Sequence, residues 1–492
     1  MSSNKNKERG GIRKIFGRIL SLVTAFSVVC TLLSCSIDNK NAVRLTWVVP
    51  GERSDDFDVI EAKINEITEK RLGVGVKFIF IDADGYYGNR INAKIEAGEK
   101  IDLCFTGYLD SYRARVENDK LMVLNELLEY APRLKSEIPD YLWDGAKIND
   151  KIYAVPNQQI AAASAALVVS KPLADKYGFD VSSVKKTEDI EPFLKLLSEN
   201  EPDVYPARIN WGINGVRTLE SNSFDEMSYG GVYIINDGGK IKTELITESE
   251  DKKNAAKLLH EWYENGYVRN DIAVAVDSAD ELAAGKYGIW FETYKPGVEY
   301  QRKLMTGNDV YAVQISKPYI NSGGTQSAMT GICSSSGHPT EAIKLLEIVN
   351  TEPEILNLLT YGIEGKNYDK LSDNVIKRRS DTFYNPTWFF GNQFIVYTEQ
   401  EQDNDIWEKT KNINENAIKS PIVGFSADLS MLLSELTRCN EVLANYEVLN
   451  NGVENPDSYW DSLDSELRSA GAEKIKQELE NQINKFLGQK IN

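Results

Sequence analysis

Apolar and polar residues after residue 42 follow two alternating periods. Apolar runs of strand length lie at 43–49, 74–81 and 101–105. Stretches with apolar residues at helical spacing lie between them at 58–72 and 87–97, and the first stops at Gly73. Strands that alternate with helices predict an α/β fold with a parallel sheet.

The same alternation begins again at Leu167 and predicts a second lobe. Predicted strands there lie at 167–169, 288–292 and 310–315, with predicted helices at 173–177, 189–198 and 251–265. A glycine-containing connector at 318–325 leads to a predicted strand at 328–334 and a helix at 340–349; a helix at 121–130 and a strand at 151–155 are also predicted. Helical runs at 403–417, 427–448 and 457–487 predict a helical C-terminal cap.

The N-terminus predicts export and a lipid anchor. Six basic residues run as far as Arg18 against one acid, and the apolar stretch at 19–33 has the length of a secretory signal. Leu32, Leu33 and Ser34 precede Cys35 in the pattern of a bacterial lipobox, in which the cysteine sulfur receives a diacylglycerol. We therefore expect the chain to lie on the extracytoplasmic face of the cell membrane, attached through Cys35. An uncleaved apolar anchor is the alternative.

The distribution of charge separates this leader from the rest of the chain. The 492 residues carry a formal charge of −18, and because residues 1–34 carry +5, the other 458 carry −23. So acidic a surface repels phosphate backbones, and nucleic acid is not expected as a partner. Cys104, Cys333 and Cys439 form no CxxC pair and are expected to be buried thiols.

Motifs for catalysis and metal binding are incomplete. His260 opens the stretch HEWYE, which lacks the second histidine of a zinc-protease helix. Asp82 and Asp84 lie in a DADG turn whose flanking residues cannot complete a calcium loop. We expect no catalytic residue, no metal and no cofactor. The eight Trp and 24 Tyr, many beside turn residues, suit a carbohydrate cleft, because sugar rings stack on aromatic faces.

Five stretches occur in a recognisable order: IEAGEKID at 95–102, KIYAVP at 151–156, DKYGFD at 175–180, AGKYGIW at 284–290 and YGIEG at 361–365. Together they resemble the bacterial extracellular solute-binding proteins of carbohydrate ABC importers, which are similar to maltose-binding protein in architecture. The part that contains Trp388, GNQF at 391–394 and Gly424 resembles the uncharacterised C-terminal domain of a lipoprotein branch of that family.

The resemblance implies a two-lobed periplasmic-binding-protein-like fold of type II, with a hinge between the lobes and ligand in the cleft. The implied divisions are 1–34 for a lipoprotein signal peptide, 35–42 for a tether, 43–160 plus 328–385 for lobe 1, and 164–324 plus 400–490 for lobe 2 with its helical cap.

Ligand contacts follow from the same resemblance. They are Glu52, Arg53, Tyr108 and Asp110 from lobe 1, Trp211, Glu292 and Tyr294 from lobe 2, and Trp388 and Asn392 at the cleft. The aromatic residues would stack on sugar rings, and the charged and amide side chains would bond hydroxyl groups. The small residues at 161–166 stand where relatives place larger groups, which predicts a wider site.

The predicted function is that of a lipid-anchored, monomeric, non-enzymatic receptor. It would capture an oligosaccharide and deliver it to the permease subunits of an ABC transporter. A secreted glycoside hydrolase and a binding protein for a peptide or other non-sugar solute are the alternatives, because function depends on the site and not on the fold. A surface adhesion protein is a further alternative.

Overall fold

The structure, a computed structural model, describes residues 42–210, 212–213, 228–275, 279–379, 383–447 and 451–491. The strands are β1 (Val43–Pro50), β2 (Val74–Ile81), β3 (Leu103–Gly107), β4 (Lys147–Ile148), β5 (Lys151–Ile152), β6 (Ala154–Pro156), β7 (Ala165–Ser170), β8 (Tyr205–Arg208), β9 (Val232–Asp237), β10 (Lys240–Leu245), β11 (Tyr287–Thr293), β12 (Val310–Gln314), β13 (Tyr319–Ile320), β14 (Ala328–Ile332), β15 (Tyr368–Lys370), β16 (Val375–Arg378), β17 (Thr398–Glu399) and β18 (Ile418–Lys419).

The helices include α1 (Phe57–Leu72), α2 (Tyr87–Glu96), α3 (Tyr112–Glu117), α4 (Pro132–Glu137), α5 (Asp140–Gly145), α6 (Lys171–Tyr177), α7 (Glu191–Asn200), α8 (Glu250–Glu264), α9 (Ala279–Ala283), α10 (Val298–Thr306), α11 (Ser322–Thr325), α12 (Pro339–Thr351), α13 (Pro353–Tyr361), α14 (Ile406–Asn416), α15 (Leu433–Asn445), α16 (Trp460–Ala470) and α17 (Ala472–Ile491).

The first lobe is built on a five-stranded sheet in the order β2-β1-β3-β14-β6. β1 pairs in parallel with β2 and β3, whereas β14 runs antiparallel to β3 and β6. Consecutive residues of β3 and β14 are buried, as expected for strands covered on both faces. Trp47 stacks on Phe78 in this core, with 5.4 Å between ring centroids.

The second lobe has its own sheet and its own core. Its four strands lie in the order β12-β7-β11-β8, and the β9-β10 hairpin packs beside them. Leu463 and Leu467 of α16 and Ile475 and Leu479 of α17 are fully buried in the same core. The helical C-terminal region is therefore an integral part of the second lobe.

The chain crosses between the two cores in segments that pack tightly. The Asn414 side chain accepts hydrogen bonds from the backbone N–H groups of Ala161 (2.9 Å) and Ala162 (3.1 Å). A Cβ atom at Gly324 would lie 2.2 Å from the Ala161 carbonyl oxygen, so only glycine fits there. Ala161 and Ala162 are buried, which puts these two residues of the predicted small-residue stretch inside the crossing and not on an open surface.

The helix predicted at 121–130 is wrong. Leu121 instead forms a β-bridge with Cys333, and the Met122 N–H donates to the Ile332 carbonyl at 2.9 Å. Only a 3₁₀ turn, Leu127–Tyr130, is helical in this stretch. Pairing with a strand distant in sequence outweighs the local apolar spacing, as tertiary contacts commonly do.

Two further differences follow from glycine. The run predicted at 457–487 is divided into α16 and α17 at Gly471, whose φ is +112°. The β9-β10 hairpin was not predicted, although Gly238 and Gly239 form its turn with positive φ angles of 59° and 97°.

The N-terminal predictions lie outside the part of the chain that the structure describes. Residues 1–41, which include the predicted signal peptide and Cys35, are not among the described residues. Within those that are, we find no helix that combines the length and apolar character needed to cross a membrane.

Candidate ligand-binding site

Tyr108 and Trp388 form an accessible aromatic pair at the carboxyl end of β3. Their ring centroids are 5.4 Å apart, and Tyr108 is 58% exposed. The backbone turn that precedes Tyr108 requires glycine at position 107, because φ there is +145° and a Cβ atom would lie 2.2 Å from the Ser327 carbonyl oxygen. Phe105 supports both rings from the core at 6.2 Å. The structure thus brings together two predicted site residues that are far apart in sequence.

Asp110, two residues further on, is held by an ion pair with Arg115, whose side chain is 2% exposed. The Arg115 Nε donates to a carboxylate oxygen of Asp110, while its two terminal nitrogens are buried without a hydrogen-bond partner among the described residues. A buried guanidinium needs such a counter-charge. Asp110 therefore has a structural role two residues after Tyr108, as the counter-charge of the buried Arg115.

Glu52 and Arg53 follow β1 and line a different groove of the first lobe, together with Lys77, Phe80 and Asp82. The Arg53 guanidinium donates to Asp58 at 2.6 Å and to the Phe78 carbonyl at 3.2 Å. No other predicted site residue lines this groove within the described part of the chain. Neither Tyr108 nor Trp388 lines the groove that Glu52 and Arg53 share.

The second lobe presents the carboxyl ends of β8 and β11 at one edge, because these strands are parallel. Asn210 joins the two ends: its amide donates to the Phe291 carbonyl at 3.0 Å and accepts from the Phe291 N–H at 3.2 Å. The predicted Trp211 follows Asn210 but lies outside the described residues. Tyr294 follows β11 at the same edge and is half-buried, and this burial raises the pKa of its hydroxyl.

Glu292 also lies at this edge, with both carboxylate oxygens already engaged inside the lobe. One accepts from the Trp290 indole N–H at 3.1 Å, and the other from Arg302 at 2.8 Å. Glu292 and Arg302 are 17% and 18% exposed. The carboxylate therefore positions Trp290 and Arg302 and has little free capacity for sugar hydroxyls.

Asn392 is 4% exposed and acts as a cap for a 3₁₀ turn. Its side chain accepts from the Phe394 N–H at 3.0 Å and donates to the Asn350 carbonyl at 3.2 Å. Both ends of the amide are thus bonded within the protein. Trp388 is partly buried against the first core and Asn392 is buried, so of these two predicted contacts Trp388 is the more accessible.

Two contacts between the lobes were not apparent in the sequence. The Tyr300 hydroxyl of α10 donates to Glu399 at 2.8 Å, and Glu399 also accepts from Arg378 at 2.7 Å. α14 begins against the first lobe, because Trp407 packs on the first core and donates its indole N–H to the Val396 carbonyl at 3.0 Å. A Cβ atom at Gly297 would lie 2.5 Å from Cδ1 of Ile406, so the loop after β11 closely approaches this end of α14. The only sequence signal for this approach is the glycine that ends the Lys295-Pro296-Gly297 turn.

The described residues contain no group of three or more His, Cys, Asp or Glu side chains that could hold a metal ion. Asp84, from the DADG turn, is paired with Arg90 at 2.7 Å and accepts from the Tyr86 N–H at 2.9 Å. Its hydrogen bonds from Arg90 and Tyr86 lower its pKa. The arrangement offers stacking and hydrogen bonding to a ligand.

A family model described as a domain of unknown function, DUF3502, matches residues 421–488. In the structure, this segment supplies α15, α16 and most of α17 to the second core.

Proteins similar to most of the chain include substrate-binding proteins for carbohydrate. A carbohydrate ABC transporter substrate-binding protein of Streptococcus pneumoniae serotype 4 is 30% identical over 455 residues, which cover 89% of this chain and 90% of that protein. The crystal structure of the N-glycan transport solute binding protein NgtS from Streptococcus pneumoniae is similar with a TM-score of 0.82 and 27% identity, covering 91% of this chain and 100% of that one. NgtS in complex with Man1GlcNAc gives a TM-score of 0.73 at 28% identity, covering 90% and 99%.

Proposed function

This chain belongs to the substrate-binding proteins of carbohydrate ABC transporters, and we propose that it captures an oligosaccharide containing mannose and N-acetylglucosamine between its lobes and delivers it to an ABC permease. The protein would return its ligand chemically unchanged. The two-lobed α/β fold, with separate cores joined by crossing segments, is that of the family.

The observation that carries this proposal is the accessible Tyr108–Trp388 pair. An aromatic surface at the carboxyl end of a sheet strand, next to polar groups, suits the apolar faces of sugar rings. Tyr294 at the corresponding edge of the second lobe would face the same ligand. The Tyr108 hydroxyl, whose pKa is raised by burial, is protonated at neutral pH and can donate a hydrogen bond.

Closure around the ligand is part of the proposal. The chain is more similar to NgtS alone than to NgtS with a bound glycan, although the sequence identity is nearly the same. A hinged protein in an open arrangement would give this difference, because moving one lobe lowers the overall superposition without changing either lobe. The crossing segments at Asn414 and Gly324 would act as the hinge.

The lipid anchor at Cys35 and the extracytoplasmic location are proposed from the N-terminal sequence. Cys35→Ala should leave the precursor unlipidated and move the protein from the membrane to the soluble fraction. Retention of a Cys35→Ala form in the membrane with residues 1–34 still attached would favour the uncleaved-anchor alternative.

Intrinsic fluorescence tests the ligand class. Titration of the soluble protein with a glycan panel should give a saturable change with Man1GlcNAc, because Trp388 would be covered on binding. A change with peptides and none with any glycan would refute the proposal. Release of new reducing ends from the glycan during incubation would indicate a glycoside hydrolase instead.

A further inference from the structure

Lys295, at the edge of the second lobe, is a cation without an ion-pair partner among the described residues. It directly follows Tyr294 in the loop after β11 and is half-buried. Its ammonium makes no hydrogen bond or ion pair with any described residue. The nearest carboxylate that influences it, Glu292, is already used by Trp290 and Arg302.

The surroundings of Lys295 make its charge costly. Burial and, to a smaller extent, the neighbouring Arg302 lower the pKa of Lys295 to about 8, against the opposing effect of Glu292. The ammonium nevertheless remains charged at neutral pH. On α10, Oε1 of Gln301 and Nε of Arg302 are buried without a hydrogen-bond partner among the described residues. Unsatisfied buried polar groups and an unpaired cation are unfavourable unless something binds to them.

The loop that carries Lys295 lies where the lobes meet. On its far side, Gly297 is in close approach to Ile406 of α14. One helical turn further on, Tyr300 donates to Glu399 across the lobe junction. Lys295 thus lies between Tyr294, a predicted sugar contact, and the two interlobe contacts.

We propose that the Lys295 ammonium is the charged hydrogen-bond donor of the second lobe to the bound glycan. Its partner is an oxygen acceptor of the sugar: a hydroxyl, an acetamido carbonyl or a carboxylate. This inference rests on the proposed function and assigns to Lys295 the polar role that was expected of Glu292. Because no carboxylate among the described residues forms an ion pair with Lys295, a carboxylate on the glycan would strengthen binding more than a neutral acceptor.

A lysine that binds ligand and a lysine that stabilises the fold can be distinguished, because replacing them has opposite effects on the stability of the ligand-free protein. Replacing a lysine that holds the fold together lowers stability. Replacing an unpaired, partly buried lysine by an apolar residue of similar length removes a desolvation cost and raises stability, while ligand affinity falls.

The variants are Lys295→Met, which removes the charge, and Lys295→Arg, which keeps it. Lys303→Met is the matched control, because Lys303 lies on α10 but is 55% exposed and paired with Asp309. Two quantities are measured for each variant: the thermal midpoint without ligand, and the Kd by calorimetry. The ligands are Man1GlcNAc, a sialylated N-glycan and its desialylated counterpart.

Lys295→Met is expected to raise the thermal midpoint of the free protein by about 2–4 °C and to weaken glycan binding about 10- to 100-fold. Lys295→Arg should retain most of the affinity, and Lys303→Met should change neither quantity. A loss confined to the sialylated glycan identifies the acceptor as a carboxylate; a loss with Man1GlcNAc identifies a hydroxyl or carbonyl.

Unchanged affinity of Lys295→Met for every glycan that the wild type binds would overturn the inference and leave the proposed function standing. A wild type that binds none of the glycans would refute the proposed function, and this inference with it. A lower thermal midpoint for Lys295→Met, with affinity lost only in proportion to unfolded protein, would assign Lys295 a structural role and overturn the inference.

Discussion

Tyr300 of the second lobe donates its hydroxyl to Glu399 at 2.8 Å, and Glu399 is 5% exposed. Glu399 also accepts from Arg378 on β16, so one buried carboxylate receives hydrogen bonds from both lobes. Tyr300→Phe should lower the free energy of unfolding by about 1–2 kcal/mol, because a charged acceptor loses one of its donors. Urea denaturation measures this change.

Tyr446→Phe is the control, since the Tyr446 hydroxyl bonds to Glu466 at 2.7 Å on the exposed surface of a single lobe. Tyr446→Phe should lower the free energy of unfolding by less than about 0.5 kcal/mol. Equal costs for the two variants would show that the contact between the lobes contributes no more than a surface hydrogen bond.

The aromatic pair should carry a large share of the glycan affinity. Tyr108→Ala removes an accessible ring that lies beside Trp388, and it should weaken binding about tenfold or more. Calorimetric titration with Man1GlcNAc checks this value. Tyr130→Ala is the matched control and should leave the affinity unchanged, because Tyr130 is 54% exposed on the same lobe but is not part of the Tyr108–Trp388 pair. Similar affinities for Tyr108→Ala and the wild type would exclude this pair as the main sugar surface.

Two adjacent glycines test the packing of the crossing segments. Gly324→Ala forces a Cβ atom against the Ala161 carbonyl oxygen and should lower stability by about 1–3 kcal/mol. At Gly323, a Cβ atom would lie no closer than 3.5 Å to any neighbouring atom, so Gly323→Ala should change stability by less than about 1 kcal/mol, in the stabilising direction. Thermal denaturation compares the two. A tolerated Gly324→Ala would mean that the segments at Ala161 and Gly324 are free to separate.

The lowered pKa of Lys295 predicts a pH dependence. Below pH 8, Lys295 is charged in both the folded and the unfolded chain, and the full cost of burying the charge is present. Between pH 8 and the unfolded value of about 10.4, only the unfolded chain keeps the proton, so this group's contribution to folding stability rises with pH. Lys295→Met should therefore exceed the wild type in stability by on the order of 2 kcal/mol at pH 7 and by much less at pH 10.

Denaturant midpoints of Lys295→Met and the wild type at both pH values give this difference directly, and changes common to the two proteins cancel. Arg302 and Glu292 are the charged groups that influence Lys295. A stability difference that does not vary with pH would contradict the lowered pKa.

Local patterns in the sequence were sufficient for much of the fold. β2 occupies the residues predicted for it, and α1 begins one residue before its predicted start, because apolar spacing and Gly73 define both elements locally. The helix predicted at 121–130 is wrong because the Met122 N–H bonds to Ile332 of β14, far along the chain. A hydrogen-bond partner that is distant in sequence leaves no periodic pattern in the residues around the segment.

The site was harder to predict for the same reason. Tyr108 and Trp388 are each recognisable as aromatic residues beside turns, and the fold brings them together. Whether a polar side chain is free for a ligand depends on partners that the sequence does not reveal: Arg302 for Glu292, and Asn350 for Asn392. Lys295 was overlooked because the lack of an ion-pair partner among the described residues is visible only in three dimensions.

A crystal structure of the protein grown with Man1GlcNAc tests the central claim most directly. The account predicts a sugar ring stacked on the Tyr108–Trp388 pair, with the loop after β11 on the other side of the ligand and the lobes closer together than in the free protein. A glycan bound in the groove of Glu52 and Arg53, or a complex in which Tyr108 and Trp388 contact no sugar, would contradict it.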